Sequence, residues 1–289
     1  MTTLVVGLSL GCVYALIAVG FSLVFRTTGI VNFAQGTFVM IGGLAAGYLS
    51  QVANWPLALA MLAGLAAALL CGAALAFCVV VPLWRQATEP TLVVVGTFIF
   101  ALVVSDVALN VFGSQPLSLP SLPGPTAHVL GTVIVGQYFW LFGVTLILVA
   151  ALLRFLRRSW LGVTMQAVAE DMSMARFVGI SPTRQAVLAI LVSAFVGGLS
   201  GMLIAPLQYT SFSLGMTYSV MGFVAAIVGG LGAVEGGFVS GILVGLLVAF
   251  IAVDISSTYE GAIVMLVLLV LVVLRPHGLF HATTRRTGA

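Results

Sequence analysis

The sequence has no lysine, only 6% charged residues and three cysteines among 289 residues. Soluble domains carry about 25% charged residues, so this chain cannot cover a water-facing surface. That excludes an ordinary soluble enzyme, and it excludes disorder. The formal net charge of +3 comes from 10 basic residues, all arginine, against 7 acidic ones. No basic patch exists to displace counterions from a phosphate backbone, which excludes a nucleic-acid partner. A Gly-x-x-x-x-Gly-Lys phosphate loop cannot be written without lysine, so no nucleotide cofactor is expected in this chain. Cys12, Cys71 and Cys78 all fall in apolar stretches. They have neither metal-ligand spacing nor a disulfide framework, and are expected to be small core residues. A basic n-region is also lacking, so Ser9-Leu10-Gly11-Cys12, which faintly suggests a lipoprotein box, belongs to a first span.

What the chain does have is apolar length: hydrophobic residues make up 62%. No Asp, Glu or Arg occurs between Arg26 and Arg85, between Asp106 and Arg154, or between Arg184 and Glu235. Each gap far exceeds the roughly 20 residues that cross a bilayer core. Membrane barrels alternate apolar and polar residues in segments of about ten, whereas residues 57–81 and 263–274 are continuous apolar runs. The expected fold is all-α: a polytopic transmembrane bundle forming one domain over 1–289, with about eight or nine spans surrounded by membrane lipid. The spans are expected near 4–25, 29–51, 56–81, 91–112, 137–155, 185–207, 219–233, 237–254 and 260–274. Trp55-Pro56, Pro82, Pro90, Pro206 and Arg275-Pro276 mark boundaries. Residues 113–136, with Pro116, Pro120, Pro123 and Pro125, read as an ordered external loop.

Sidedness follows from the arginines, because cytoplasmic loops collect positive residues. With the N-terminus outside and the C-terminus cytoplasmic, Arg26, Arg85, Arg154, Arg157, Arg158, Arg176, Arg184, Arg275, Arg285 and Arg286 all fall at cytoplasmic ends. The weak point is 229–245, where two half-helices in a re-entrant pair would replace two spans. Gly237, Gly241 and Gly245 share one helix face, as do Gly197 with Gly201 and Gly43 with Gly47. Glycine lets membrane helices approach closely, either within the chain or against a second subunit.

The most informative polar stretch is the cytoplasmic connection at about 157–184. Met165, Val168, Met172 and Ala175 recur at helical spacing. Gly179 stands where a left-handed C-terminal cap belongs. Ser181-Pro182 reads as an N-cap and first-turn proline opening the next span. Such a helix either ties the chain along the membrane surface or inserts into a groove on a cytoplasmic partner. In the second case Glu170 and Asp171 would be solvated or paired with partner arginines.

Gly7-Leu8-Ser9-Leu10-Gly11 with Tyr14-Ala15-Leu16, followed by Gly29-Ile30-Val31-Asn32-Phe33-Ala34-Gln35-Gly36, resembles the opening of the branched-chain amino acid type ABC transporter permeases. Ala169-Glu170-Asp171, Ala175 and Gly179-Ile180 resemble that family's coupling segment. Val228-Gly229-Gly230-Leu231-Gly232 and Arg275-Pro276-x-Gly278-Leu279 match it as well, so the similarity covers essentially the whole chain. The strict Glu-Ala-Ala triplet of other importer classes is absent. The resemblance implies a bacterial inner-membrane importer with a second related permease, two cytoplasmic ATP-binding subunits holding ATP and magnesium, and an external solute-binding protein. Ala169, Glu170, Asp171, Met174, Ala175, Gly179 and Ile180 would then contact an ATP-binding subunit.

Several residues invite a functional reading beside a plain one. Asn32, Gln35 and Gly36 put amides and breakable backbone in an apolar span, where they either bond neighbouring helices or line a solute path. Asp106 and Asn110 share one helix face near an outer end; either they are path candidates too, since a carboxylate in a span is a functional candidate by default, or Asp106 is a snorkelled or capped acid at the interface. Asp254 and Glu260 fall in an external turn and Glu235 in a cytoplasmic one, the last able to face a partner. Gly198-Leu199-Ser200-Gly201 has the form of an intramembrane serine protease motif, but His128, His277 and His281 lie outside the later spans, leaving the serine without a base. The alternative to an ATP-driven importer is an ion-coupled secondary carrier built from one chain. That class uses mid-membrane carboxylates and inverted repeats; here acids sit mainly near span ends.

Overall fold

The structure, a computed structural model, describes residues 2–86, 90–129, 132–255, 259–274 and 278. The apolar runs become α1 (Thr2–Thr28), α2 (Gln35–Gln51), α3 (Leu57–Ala74), α4 (Val81–Gln86), α5 (Pro90–Phe112), α6 (Gly136–Arg158), α7 (Trp160–Glu170), α8 (Met172–Phe177), α9 (Pro182–Ile204), α10 (Leu214–Gly229), α11 (Val234–Phe250) and α12 (Glu260–Leu274). Two π-helical stretches, Leu75–Val80 and Ile251–Ile255, join α3 to α4 and lengthen α11. The first lies just ahead of Pro82, whose missing N–H and ring crowding upset the i→i−4 ladder. An otherwise helical chain adds one hairpin, β1 (Ala127–Val129) against antiparallel β2 (Thr132–Ile134), inside the segment expected to be a loop.

The expectation of eight or nine spans is met only in part. Among the described residues six helices are long and apolar enough to cross a membrane: Thr3–Thr28, Leu57–Trp84, Thr91–Phe112, Gly136–Arg158, Pro182–Ile204 and Val234–Ile255. The other three expected spans are helices of 17, 16 and 15 residues, α2, α10 and α12. At about 1.5 Å per residue α2 and α10 fall short of the roughly 30 Å hydrocarbon core, while α12 is described only as far as Leu274. The expected span 29–51 over-extended α2, because residues 29–34 before it are mostly apolar but non-helical, whereas the expected 219–233 and 260–274 were already no longer than α10 and α12. The 229–245 region is not a pair of half-helices, because α11 with its π turn reaches span length and α10 alone is short.

α1 runs through the middle of the molecule, with Val13, Ala15, Leu16, Ile17, Ala18 and Val19 fully buried, and packs on α9, α10 and α11. Small residues set these approaches. A methyl on Gly241 would fall on the Ala15 backbone, and one on Gly245 on the Gly11 backbone. Gly201 faces the Val39 carbonyl and Gly42 lies over Gly198, so α2 and α9 meet backbone to backbone. Gly47 abuts Leu117 and Ser118 of the proline-rich loop. The glycine faces marked in the sequence therefore serve packing within this chain. Ser200 shares that role: it is buried and donates to the Gly197 carbonyl at 2.8 Å. Cys12, Cys71 and Cys78 are all free thiols.

The two ends of the bundle differ. At one end the close of α6, the start of α11, the α7–α8 segment and the start of α9 come together, and Arg26 lies beside Gly232. At the other, Leu117 pairs with Thr210 through a single antiparallel bridge, and Leu119 is buried against Ala46, Met202 and Ala205. Gln137, missed in the sequence reading, clamps that end: fully buried, it accepts from the Leu122 N–H at 3.0 Å and donates to the Leu203 carbonyl at 2.8 Å. A lone amide opening an apolar run was the available signal. Arg275, Arg285, Arg286, His277 and His281 lie outside the described residues; of the terminal motif, Gly278 alone is described, against Gly230.

Candidate functional site

A polar seam forms where α1 ends and α2 begins inside the bundle. Gly29, at φ +71°, turns the chain out of α1, and the Thr28 hydroxyl accepts from the Ile30 N–H at 3.1 Å. Asn32 Oδ1 then accepts from the Ala34 N–H at 3.1 Å, folding the chain back toward α2. Three neighbouring helices complete the accounting that a bilayer demands of non-helical backbone. Thr97 of α5 accepts from the Phe33 N–H at 3.1 Å. Ser219 of α10 accepts from the Gly36 N–H at 2.9 Å and donates to the Phe33 carbonyl at 2.8 Å. Ser193 of α9 donates its hydroxyl to Gln35 Oε1, while Gln35 Nε2 donates to the Ser193 carbonyl at 3.3 Å. Asn32, Gln35, Ser193 and Ser219 are all buried.

Not every group is satisfied. Among the described residues Asn32 Nδ2 and Thr37 Oγ1 find no hydrogen-bond partner, although both are buried. The seam is therefore a neutral set of amides and hydroxyls with donor and acceptor capacity left over. Ser193, Ser219 and Thr97 were not singled out in the sequence, although each is a polar residue in an apolar helix with its partner far along the chain.

Asp106 and Asn110 lie elsewhere. Both are exposed on α5, and the Asn110 amide donates to the Asp106 carbonyl at 2.9 Å. The five path candidates thus fall in two places: Asn32, Gln35 and Gly36 in the buried seam, Asp106 and Asn110 on an outer face. Asp106 lies six residues before the end of the 23-residue α5, off the mid-bilayer depth at which a lipid-facing carboxylate costs about 2.5–3.5 kcal/mol.

The segment at the arginine end consists of two helices, where the sequence reading expected one. Asp171 breaks the run with φ −150° and ψ 107°, and its Oδ1 accepts from the Ser173 and Met174 N–H groups at 2.8 and 3.0 Å. It is the N-cap of α8, a role the sequence reading missed although Asp is among the preferred capping residues. α8 closes on Gly179 at φ +84°, with Ile180 N–H on the Ala175 carbonyl at 2.9 Å and Gly179 N–H on the Arg176 carbonyl at 3.0 Å. That pair of bonds is the Schellman closure. Ser181 precedes Pro182 at the start of α9 as expected, but its side chain makes no cap bond. Met165, Val168 and Ala175 face inward. Met174, Phe177 and Val178 face out, Phe177 at 85% exposure, and no part of the described chain covers them. Glu170 is exposed alongside. Beside this segment Arg157 of α6 pairs with Glu235 of α11, both side chains largely exposed. The Glu235 charge lies in the first turn of α11, where a helix favours an anion.

The family described as branched-chain amino acid transport system / permease component matches residues 3–273. The chain belongs to that family. This permease is 28% identical to the high-affinity branched-chain amino acid transport system permease protein BraD of Pseudomonas aeruginosa, over 96% of this chain and 94% of that one. It is 27% identical to LivH of Escherichia coli strain K12, a protein of the same description, over 94% and 92% of the two chains. A probable branched-chain amino acid transport permease protein LivH of Methanocaldococcus jannaschii is 24% identical over 91% and 87%. Among solved structures, PsaBC from Streptococcus pneumoniae in complex with Fab superposes with a TM-score of 0.51 at 13% identity, covering 95% of this chain and 91% of that one. At that identity the likeness is one of fold. The chain is a multi-pass membrane transport permease of the ABC transporter class.

Proposed function

We propose that this permease is the membrane-spanning subunit of an ATP-driven importer, moving branched-chain amino acids or related small polar solutes by alternating access. The observation that carries the proposal is the capped α7–α8 segment. It presents Met174, Phe177 and Val178 uncovered at the arginine-bearing end, fixed by a carboxylate cap at one end and a glycine closure at the other. Short rigid helices with outward apolar side chains suit insertion into a groove of a partner. Of the seven expected coupling residues, Met174 serves by contact, with Ala169, Glu170 and Ile180 beside it, Asp171 and Gly179 shape the segment, and Ala175, buried within this chain, seats it on the bundle rather than on the partner.

In this reading ATP and magnesium belong to two cytoplasmic ATP-binding subunits. A second homologous permease completes the membrane part, and an external binding protein delivers the solute. The chain is a single permease domain over 1–289, set in a bacterial inner membrane with its N-terminus outside and its C-terminus in the cytoplasm. The arginine distribution supports that orientation. Asn32, Gln35 and Gly36 border the solute path, and the spare donor of Asn32 and the hydroxyl of Thr37 are the groups a neutral or zwitterionic solute meets when α10 draws away from α2. The branched-chain cargo is taken from the relatives' names.

Copurification with uptake tests the reading. Tagged permease from native membranes should bring down an ATP-binding subunit, and uptake should stop on ATP depletion while an ion gradient persists. Uptake by the chain alone under an ion gradient would refute it in favour of a secondary carrier.

A further inference from the structure

We infer that the end of α6 and its corner with α7 hold the headgroup of an anionic phospholipid, its phosphate lying on Arg154 and Arg158 with the Trp160 ring beside it. The inference goes beyond the importer reading and needs only that the permease sits in a bilayer. α6 turns Leu141, Thr145, Val149, Leu152 and Leu156 into the bundle. At about 100° per residue the opposite side carries Trp140, Ile147, Ala151, Arg154 and Arg158, all exposed. Trp140 and Arg158 stand about 27 Å apart by helical rise, close to the roughly 30 Å hydrocarbon core. Aromatic, then aliphatic, then basic is the order of a helix side that touches lipid from one headgroup layer to the other. It puts Arg158 in the second layer, and Arg154, about 6 Å deeper by helical rise, reaches it along its own aliphatic stem.

The three arginines that end α6 are not equivalent. Arg157 projects about a quarter-turn or more to one side of the other two and pairs with Glu235. Arg154 and Arg158 share the outer side one turn apart, and neither has an ion pair or hydrogen bond among the described residues. Nor are they spent on the carbonyls that close the helix. The Phe155 carbonyl accepts from the Ser159 N–H at 3.0 Å and from its hydroxyl at 2.7 Å, and the Leu156 carbonyl accepts from Gln166 Nε2 at 2.7 Å. Ser159 turns the chain in extended backbone and caps α7, accepting from the Gly162 N–H at 2.9 Å, while Gly162 rests on the backbone of Phe155 and Leu156. This tight corner presents Trp160, Leu161 and Val163 outward, Trp160 at 79% exposure. Two guanidinium forks match phosphate oxygens, and an indole suits the headgroup layer. A free phosphate would use the two charges alone, and an acidic protein partner would leave the Ile147 and Ala151 strip in lipid. A phospholipid uses the charges, the ring and the strip together.

The test uses the whole transporter in mild detergent, titrated with phosphatidylglycerol or phosphatidylcholine and read by native mass spectrometry. Phosphatidylglycerol should bind in preference. Arg154→Gln with Arg158→Gln should weaken it about 25-fold, about fivefold for each arginine at a charged headgroup. Arg176→Gln with Arg184→Gln removes the same charge elsewhere and should leave binding within about twofold. Arg154→Lys with Arg158→Lys keeps the charge and should keep most of the binding. In native membranes, a photoreactive phosphatidylglycerol should label the peptide that carries Trp160. Equal binding of the two lipids by the wild type, equal weakening in both glutamine pairs, or no label at that peptide overturns the inference. So does displacement of the lipid by millimolar glycerol phosphate, which would mark a site for free anions. Recovery of the ATP-binding subunit is followed in parallel. If the Arg154 and Arg158 glutamine pair loses that subunit while lipid binding holds, the arginines dock a protein and the inference fails with the importer reading intact. If the wild type brings down no ATP-binding subunit, the importer reading fails and the lipid preference still decides the inference.

Discussion

Gly179 offers the sharpest perturbation. Its φ of +84° lies in the left-handed region, and a Cβ built there meets no atom within 4 Å. Space is therefore not the constraint; only the backbone is. An L-residue held in that region costs about 1–2 kcal/mol, a factor of roughly 5–30 in the population of the closed segment. Asparagine tolerates the conformation, alanine does so less well, and a β-branched residue is a true outlier there. The expected order in the assembled transporter is Gly179 about equal to Gly179→Asn, then Gly179→Ala, then Gly179→Val. Losing the closure releases the Ile180 and Gly179 N–H groups from Ala175 and Arg176 and lets the Phe177 and Val178 end of α8 wander. Solute uptake and solute-stimulated ATP hydrolysis, measured together in proteoliposomes, should fall along that order, with Gly179→Val down by at most about 30-fold. Wild-type values for Gly179→Val, or an asparagine variant as poor as valine, would refute the cap as the reason for glycine.

Other consequences can be checked on the same protein. Gln35→Ala strands the Ser193 hydroxyl in a buried site and should cost about 1–3 kcal/mol in unfolding stability; the added Ser193→Ala change should cost less than its own single effect, read from thermal denaturation in detergent. Gly241→Leu should abolish accumulation of folded protein, because its side chain would strike the Ala15 backbone, whereas Gly143→Ala, with no atom near its Cβ, should be neutral by fluorescence size-exclusion. Asp171→Ala removes the α8 cap and should cost about 0.5–2 kcal/mol of local stability, visible as faster amide exchange at Ser173 and Met174, with Asp171→Asn close to wild type. Arg157→Ala should change stability by only about 0.2–1 kcal/mol, because the pair with Glu235 is largely exposed, and high salt should erase the difference.

How much of this was legible beforehand depends on the scale of the signal. Helix type and order follow from uninterrupted apolar runs, which no barrel carries, and the closure at Gly179 was readable because glycine after a periodic helix has one main use. Helix length was harder. Hydropathy records composition, and residues 30–34 and 205–207 are mostly as apolar as the helices they adjoin, so hydropathy alone did not separate helix from buried turn and only Asn32 and Pro206 marked the breaks. The hairpin at Ala127–Ile134 was hidden by the prolines ahead of it. In the polar seam, Asn32 and Gln35 stood out because amides are rare in such runs, whereas Ser193 and Ser219 matter only through partners 158 and 183 residues away. The Asp171 break was masked because alternation of Met165, Val168, Met172 and Ala175 keeps helical phase across it. Asp106 and Asn110 show the opposite case: one helix face was readable, but which way that face turns depends on the other helices.

The interruption between α1 and α2 has one more consequence. Residues 29–34 satisfy their backbone through the side chains of Thr28, Asn32, Thr97 and Ser219 rather than through a continuous ladder. A helix bent at its centre must break ladder bonds, each exposed to hydrocarbon. A bend here needs only a few hydroxyls to turn about their torsions and keep their contacts. The bundle thus carries a ready articulation at the level of its own core, where the short α10 meets it through Ser219.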